Sequence, residues 1–556
     1  FLEFFRSTKD PVSATMNAAQ EVPAAHYPGL RMLNVANVDV MAPQSALKGD
    51  WAVCAPDRAG AFSAVGYFFA RELHKRLGVP VGMINSSWGG TLAEAWTSRA
   101  GLSREPALQC FIKALDDMKT EDGLKARAEH QRAVEEWTKR NIPTDPGGIA
   151  HADGWAALDT DAAGWATMVL PQGWQTAGLD FSGVLWFRHE VKIPRAWAGK
   201  ELSLNVGACD KNDVTFFNNV KVGSLGMEER PDAWCTPRSY TVPGRQVKAG
   251  RNVIAVRVYS NMYQGGMIGP AGAMWVAPAD APPEQRVRLA GEWQYRVEHN
   301  FGKISVTPPP APLGDGNANT PAILFNGMIA PLLPYGIRGA IWYQGESNAD
   351  RGAQYRTLFP AMISDWRRAW GQGEFPFYFV QLANYMAVNP DPVESGWAEL
   401  REAQRATLAL PQTGMATIID IGEAGDVHPK NKQDVGLRLA LIALAKTHGM
   451  SGVAYSGPAP RAARREANRV VVEFEAGEGG LRTTGGEPKG FAMAGADGKF
   501  RWAAARIEGR DRVVLSGAEV TTPCRVRYAW ADNPIANLTD GSSLPASPFE
   551  MAVSGG

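Results

Sequence analysis

Apolar and polar residues follow a helical pattern near the start of the chain. The run AVGYFFARELHKRLG is amphipathic, with Ser63 before it and Gly78 at its end. Serine at an N-cap and glycine after the last turn are common boundaries of a helix. We therefore predict a helix from residue 64, then a buried strand in VPVGMINSS and a further helix that starts from WGGTLAEAW.

The pattern changes to short apolar runs between Trp155 and about Trp275. Runs such as GVLWFRHEVKIP and NVIAVRVYS are separated by Gly, Asn and Pro. Short strands with turn residues between them are typical of β-sandwiches and jelly rolls. A helix-rich, charged segment over residues 104–142 precedes this region. The segment VTPPPAPLGDGNANTP (306–321) has the composition of a linker.

The helix and strand pattern of the first region returns after this linker. RGAIWYQGES, FPFYFVQLAN and MATIIDI are predicted to be buried strands, with helical stretches between them. The simplest organisation is an α/β domain in two parts, 1–103 and 306–452. An insertion over 104–305, with the sandwich at about 153–280, interrupts it, and a β-rich domain over 453–556 follows it.

Composition excludes several classes of partner. The 57 Lys and Arg residues balance the 57 Asp and Glu residues, so there is no signature of binding to nucleic acid or to an anionic membrane. The five cysteines are scattered and form no CxxC pair, which predicts neither a metal site nor a disulfide framework. No apolar run approaches the roughly 18 residues of a membrane span.

Three polar loops follow predicted strands of the α/β part. They are NSSWGGT (85–91), YQGESNAD (343–350) and GDVHPKNK (425–432). Ligands of α/β folds bind at the carboxyl ends of strands, so these loops are candidates for one site. His428 can take a proton near neutral pH, and Asp426 can orient the imidazole. The alternative is a histidine in an ordinary surface loop.

The other two loops hold candidate donors and contact residues. Gly89 and Gly90 can expose backbone amides to an oxyanion, and Asn348 can add a side-chain N–H. The alternatives are a tight glycine turn and a turn-forming asparagine. Gln344 and Glu346 are polar at a strand end, where each either contacts substrate or is solvated. Tryptophan offers a flat face for a sugar ring, which makes Trp88 a third candidate contact, although tryptophan also fills cores.

The order of these loops resembles that of the SGNH hydrolases. The residues of the loops and their flanks most resemble those of the sialate O-acetylesterase-like carbohydrate acetylesterases. The matching stretches are FSAVGYFFARELHKRLGVPVGMINSSWGGTLAEAWTS, LFNGMIAPLLPYGIRGAIWYQGESNA, VQLANY, DVHPKNKQDVGLRLA and RYAWADNPIANL. The resemblance implies an SGNH-type, flavodoxin-like α/β/α core. It also implies that the insertion is a galactose-binding-like jelly roll, which either contacts glycan or is a structural brace.

The resemblance further implies a serine esterase that removes acetyl groups from sugars without a metal or cofactor. In it His428 is the general base, Asp426 its orienting acid, and Gly89 or Gly90 with Asn348 the oxyanion hole. The expected partner is an O-acetylated oligosaccharide or polysaccharide, carrying sialic acid or drawn from plant-wall xyloglucan or xylan. The expected location is the periplasm or the outside of a bacterial cell.

The sequence departs from the family at the nucleophile. The family has a Gly-Gln-Ser-Asn-Met block where this chain reads FLEFFRSTKD, and Ser7 lies within one position of the expected serine. Either Ser7 is the nucleophile in a diverged setting, or these first residues are altered, or the chain is a catalytically impaired carbohydrate-binding protein. The spacing D-x-H, in place of the more usual D-x-x-H, leaves Glu423, Asp420 or a carbonyl as alternative orienters.

Overall fold

The computed structural model describes residues 15–147, 152–230, 232–304 and 307–555. The described residues form two compact units. One contains residues 15–126 together with the described residues from Ala311 onward, and the other contains the described residues from Arg127 to Pro310. Ser7 lies outside the described residues, and the four-part domain organisation stays a prediction.

The first unit contains an α/β core with two three-stranded sheets. Its six strands are β1 (Tyr27–Asn34), β2 (Trp51–Cys54), β3 (Val81–Asn85), β4 (Ala340–Trp342), β5 (Phe377–Val380) and β6 (Thr413–Ala416). The first sheet has the order β2-β1-β3, with β3 parallel and β2 antiparallel to β1. The second sheet, β4-β5-β6, is parallel throughout. The predicted mixed α/β class is confirmed.

A cavity of about 840 Å³ lies along the free edges of these two sheets. Among the described strands, β3 pairs only with β1, and β4 pairs only with β5. Residues of both strands line the cavity, including Met83 and Ile84 of β3 and Ile341 and Trp342 of β4. The cavity therefore runs beside the strands towards their carboxyl ends.

Helix α1 (Ala64–Leu77) has the boundaries that the sequence predicts. The Ser63 hydroxyl oxygen accepts a hydrogen bond from the Gly66 amide at 3.0 Å, and Gly78 adopts a φ of 67° at the helix end. The other long helices of the core are α2 (Gly352–Trp370), α3 (Gly396–Ala406) and α4 (Lys432–Ile442). The remaining α-helices are Ala18–Glu21, Pro56–Ala59, Arg99–Ser103, Gln109–Asp117, Glu121–Asn141 and Ala152–Trp155. In the part of the chain described, no helix is long and apolar enough to cross a bilayer.

Aromatic side chains fasten α2 to the second sheet. Trp342 of β4 packs edge-on against Trp366 of α2, with ring centroids 5.7 Å apart, and Phe359 of α2 packs edge-on against Phe379 of β5 at 5.0 Å. All four side chains are buried. Burying one such side chain stabilises the fold by about 1.5–3 kcal/mol, so this contact fixes β4 and the loop that follows it.

Two predicted elements differ from the structure. The segment WGGTLAEAW enters a single 3₁₀ turn, Ala93–Trp96, and the next α-helix begins only at Arg99. The strand predicted in MATIIDI is Thr413–Ala416 and ends early. The Arg438 guanidinium explains this, because it donates to the Thr417 carbonyl oxygen at 2.7 Å and pairs with Asp420. These bonds hold the following residues in a turn.

The second unit contains two antiparallel β-sheets, whose strands extend to Asn300. One antiparallel sheet has, in spatial order, Ala166–Leu170, Gly291–Asn300, Gly183–Ile193, Gly250–Ser260, Asn212–Phe217 and Val220–Leu225. The other has Val287–Arg288, Met274–Pro278, Leu202–Asp210, Gly266–Met267 and Gln172–Gly173, with Pro237–Val242 also paired to Leu202–Asp210. Leu185 and Phe187 of the first sheet share an apolar core with Leu204 and Val276 of the second.

The end of the chain is β-rich and packs on the α/β core within the first unit. One four-stranded sheet contains Ala459–Glu466, Arg469–Glu475, Arg512–Ser516 and Ala504–Glu508. Another contains Phe500–Trp502, Phe491–Ala494, Arg525–Tyr528 and Phe549–Ala552, and Arg482–Thr483 pairs with Leu538–Thr539. The buried Arg401 guanidinium of α3 donates to the carbonyl oxygens of Ala531 and Asp532, at 2.6 and 2.9 Å, and joins this region to the core.

Candidate active site

The three predicted loops meet at the cavity. They follow β3, β4 and β6, and residues from each of them line it. The predicted site residues found in the lining are Trp88, Gly89, Gly90, Gln344, Glu346 and His428. The tertiary structure therefore brings together loops that are up to about 340 positions apart in the sequence, as expected for strand ends in an α/β core.

His428 and Asp426 form a hydrogen-bonded pair. Asp426 Oδ1 lies 2.9 Å from the ring Nδ1 of His428 and also accepts the backbone N–H of that residue at 2.9 Å. A carboxylate at Nδ1 favours the tautomer with the proton on Nδ1, which leaves Nε2 as the acceptor. The side chains are 25% and 11% exposed, so the imidazole remains accessible from the cavity.

The alternative orienting groups are engaged elsewhere. Glu423 pairs with the Lys430 ammonium at 3.1 Å. Asp420 forms a bidentate ion pair with Arg438, at 2.6 and 2.7 Å. Of the carboxylates considered from the sequence, Asp426 is the one that the structure brings to the imidazole.

Backbone contacts hold the histidine loop in place. The Gly422 amide donates to Asn384 Oδ1 at 2.7 Å, and the Lys430 carbonyl oxygen accepts the Met16 amide at 2.9 Å. Asn431 caps helix α4 by accepting the Asp434 amide at 3.0 Å. The loop is thus fixed at both ends, which limits how far the imidazole can move.

The glycine loop after β3 is ordered by hydroxyl groups. Ser86 Oγ donates to the Met328 carbonyl oxygen at 3.0 Å, and Ser87 Oγ donates to Asn85 Oδ1 at 2.8 Å. Gly90 adopts a φ of 75°, which L side chains disfavour. Gly89 and Gly90 line the cavity and have no side chains that could cover their backbone amides. The Gly89–Gly90 segment can therefore present N–H groups to a developing negative charge.

The predicted donor Asn348 lies in the interior, in contact with Gln344. Asn348 is 1% exposed, and its Oδ1 accepts the Gln344 Nε2 amide at 2.6 Å. Gln344 is the member of the pair that lines the cavity. Asn348 Nδ2 donates to Glu94 at 3.0 Å. The side-chain amide that reaches the cavity is therefore that of Gln344, with Asn348 holding it.

Glu346 is a carboxyl group with an altered acidity. Burial raises its pKa from 4.5 to about 7, and the positive charge of Lys432 acts in the opposite direction. Near and below neutral pH the group is thus substantially protonated and can donate a hydrogen bond. The Lys432 ammonium lies 5.9 Å from the centre of the Tyr343 ring, and burial raises the pKa of that phenol.

Two residues of this region were not predicted from the sequence, Glu94 and Lys432. Both side chains are buried although ionisable. The available signal for Glu94 is its place between alanines in TLAEAW, where a lone carboxylate interrupts an apolar run. The described residues contain no cluster of three or more His, Cys, Asp or Glu side chains arranged to hold a metal ion.

An α/β core with a histidine–aspartate pair beside exposed amides has the features of a hydrolase that uses an imidazole base. Residues 327–444 match the family described as carbohydrate esterase, sialic acid-specific acetylesterase. Over these residues the chain is similar to the carbohydrate esterases of this family, which is the family that the sequence motifs indicate.

Sialate O-acetylesterases of two mammals are similar to part of the chain. The chain is 32% identical to the sialate O-acetylesterase of Mus musculus over 260 residues, which is 42% of this chain and 48% of that protein. The corresponding protein of Homo sapiens is 29% identical over 255 residues, 41% of this chain and 48% of that protein. The chain thus spans about half the length of these relatives.

A solved structure resembles the chain over nearly its whole length. It is XAC1771, a carbohydrate acetylesterase from Xanthomonas citri, with a TM-score of 0.57 and 27% identity. The match covers 98% of this chain and 78% of the other. The likeness supports the combination of a parallel sheet with several antiparallel sheets in one chain.

Proposed function

We propose that this chain is a serine-dependent carbohydrate O-acetylesterase, which hydrolyses acetyl esters on sugars. The observation that carries the proposal is the 2.9 Å contact of His428 with Asp426, in a cavity that Gly89 and Gly90 also line. Candidate substrates are O-acetylated sialic acid and the plant-wall polysaccharides xyloglucan and xylan. The names of the relatives support an acetylated sugar as the class.

The proposed reaction has two stages. A serine hydroxyl attacks the acetyl carbonyl carbon while Nε2 of His428 takes its proton, and Asp426 stabilises the imidazolium. The tetrahedral oxyanion collapses, the sugar leaves as an alcohol with the proton from His428, and an acetyl-serine ester remains. Water, deprotonated by His428, then attacks this ester and releases acetate and the free serine.

We propose that the oxyanion is held by the backbone N–H groups of the Gly89–Gly90 turn. The Asn348–Gln344 pair holds this turn from the interior. Both N–H groups of Gln344 Nε2 donate within the protein, one to Asn348 Oδ1 and one to the carbonyl oxygen of Thr91, which follows Gly90. One donor of this kind contributes about a hundredfold to a thousandfold in rate in comparable enzymes.

Ser7 is the proposed nucleophile. It precedes Met16 by nine residues, and the Met16 amide is hydrogen bonded to Lys430, two positions after His428. Extended residues cover up to about 3.3–3.6 Å each, so the sequence distance allows Ser7 to reach the imidazole. A fluorophosphonate reagent should label the protein at Ser7, as located by peptide mass spectrometry. Labelling of the cavity residue Ser347 would replace Ser7 as the nucleophile and leave the esterase proposal intact.

The two core sheets are proposed to be parts of one SGNH-type, flavodoxin-like parallel sheet. The support is that the free edges of β3 and β4 line the same cavity. The sandwich of the second unit is proposed to be a galactose-binding-like jelly roll that contacts glycan. A location in the periplasm or outside a bacterial cell stays a prediction.

Acetate release tests the proposed function. The full chain should release acetate from acetylated xylan or O-acetylated sialic acid, or hydrolyse p-nitrophenyl acetate, and His428→Ala should abolish this activity. His448→Ala is the matched control, because His448 lines the same cavity twenty positions further along the chain, beyond the end of α4, whose 11 residues span about 16 Å. Full activity in His428→Ala would refute the mechanism. Glycan binding without acetate release would identify a carbohydrate-binding protein instead.

A further inference from the structure

Glu94 is a buried carboxylate at one end of a hydrogen-bonded network that runs through Asn348 and Gln344 to the glycine turn of the proposed oxyanion hole. Its residue exposure is 2%. One carboxylate oxygen accepts the Asn348 Nδ2 amide at 3.0 Å, and the other accepts the Arg351 guanidinium at 2.9 Å. Arg351 therefore balances the charge of Glu94, and the effect of this carboxylate on the site is one of geometry.

The orientation of Asn348 follows from donors whose roles are fixed. Asn348 Oδ1 accepts the backbone N–H of Ala93 at 3.0 Å, and a backbone N–H can only donate. The nitrogen of this side chain must then point to Glu94. The Glu94 carboxylate thus fixes the orientation of the Asn348 amide by accepting the hydrogen bond from its Nδ2.

The orientation of Gln344 follows in the same way. Burial raises the pKa of Tyr355, which keeps its hydroxyl protonated, and this hydroxyl donates to Gln344 Oε1 at 3.0 Å. Gln344 Nε2 consequently donates to Asn348 Oδ1 and to the Thr91 carbonyl oxygen, at 2.6 and 3.1 Å. Thr91 directly follows Gly90, so the same network reaches the glycine turn.

We infer that Glu94 is a positioning residue of the esterase site, which acts through Asn348 on the Gln344 amide and on the Gly89–Gly90 turn. This inference rests on the proposed function. Each side chain of the network has one arrangement that satisfies all its hydrogen bonds, so the loss of one member shifts the next. A displacement of about 1 Å at reacting groups costs roughly a hundredfold in rate.

Glu94→Gln is the test variant because it keeps the size of the side chain. Its new amide group faces two donors, Asn348 Nδ2 and the Arg351 guanidinium, and can accept only one of them without a donor–donor clash. We expect kcat for p-nitrophenyl acetate to fall about tenfold to a hundredfold, with KM changed by less than about threefold. Asp365→Asn is the matched control. Among the described residues, this buried carboxylate accepts hydrogen bonds from the backbone N–H and the hydroxyl group of Ser98, so its loss should lower the melting temperature and leave kcat unchanged.

A double-mutant cycle separates positioning from a general loss of structure. Asn348→Ala should lower kcat, and Glu94→Gln in that background should lower it further by less than about twofold, because the connection is already broken. If Glu94→Gln is poorly folded, Glu94→Asp, which keeps the charge but shortens the reach, serves in the same cycle. Its expected result is the same dependence on Asn348.

The outcomes distinguish this inference from the function on which it rests. An active wild type, an inactive His428→Ala and an unchanged Glu94→Gln would overturn the role of Glu94 and leave the esterase in place. Independent, multiplying effects of Glu94→Gln and Asn348→Ala would also overturn it. No acetate release from the wild type would overturn the proposed function itself, and the positioning role with it.

Discussion

Replacing Asp426 with asparagine separates the charge of this side chain from its shape. Asparagine has nearly the same size, and its carbonyl oxygen can accept the His428 backbone N–H that Asp426 Oδ1 accepts at 2.9 Å. The loop should therefore keep its conformation. The imidazolium that forms during the reaction loses the carboxylate 2.9 Å from Nδ1.

The expected loss follows from the electrostatics of this pair. Two unit charges about 4 Å apart interact by about 4 kcal/mol at an effective dielectric constant of about 20. The His428 and Asp426 side chains are 25% and 11% exposed, so water weakens the interaction somewhat. With about 3 kcal/mol remaining, Asp426→Asn should lower kcat/KM by roughly a hundredfold.

The assay is hydrolysis of p-nitrophenyl acetate at neutral pH, with the melting temperature measured in parallel. Asp420→Asn is the control, because Asp420 lies in the same segment but pairs with Arg438. This control should be less stable and retain kcat/KM within about twofold. The reasoning is refuted if Asp426→Asn keeps more than about a third of kcat/KM, or if Asp420→Asn loses as much as Asp426→Asn.

Three further predictions concern stability and the glycine turn. The pKa of the Glu346 carboxyl is raised from 4.5 to about 7 in the folded protein, so the free energy of unfolding of the wild type should fall as pH rises between these values. Glu346→Gln should remove up to about 3 kcal/mol of this loss. The melting temperature of Glu346→Gln relative to the wild type should therefore rise from acidic to alkaline pH, and a fall would contradict the prediction. Arg401→Met should lower the free energy of unfolding by at least about 3 kcal/mol in denaturant titrations, because buried carbonyl oxygens lose their donor. The control Arg58→Met, at an exposed side chain, should change this free energy by less than about 0.5 kcal/mol. Gly90→Ala and Gly78→Ala each place alanine at positive φ with open space around the new methyl group, so both should lower the free energy of unfolding by about 1–2 kcal/mol. Only Gly90→Ala should also lower kcat/KM. Equal kcat/KM of the two variants would contradict the oxyanion assignment.

Helix α1 and the three loops could be predicted because their signals are local. Ser63 and Gly78 act within one turn of the helix they bound, and the structure has both caps where expected. The loops follow apolar runs that form strands, and the carboxyl ends of parallel strands meet at one edge. These rules predict that His428, Gly90 and Gln344 lie at one site, and all three line the cavity.

The tertiary structure decided which polar groups touch. The sequence offered Asp420, Glu423 and Asp426 as partners of His428, and only packing assigned Asp420 to Arg438 and Glu423 to Lys430. The sequence also predicts that Asn348 presents its side-chain N–H to the substrate, whereas the structure buries this side chain and bonds it to Glu94.

The physical reason is the range over which each signal acts. The sequence by itself determined the helix and strand texture, the order of the site loops and the identity of the histidine, since capping and periodicity depend on neighbours a few positions away. Glu94 and Asn348 are 254 positions apart, and no local pattern relates them. Their contact exists because both are buried, and a buried polar group must find a partner wherever the fold brings one.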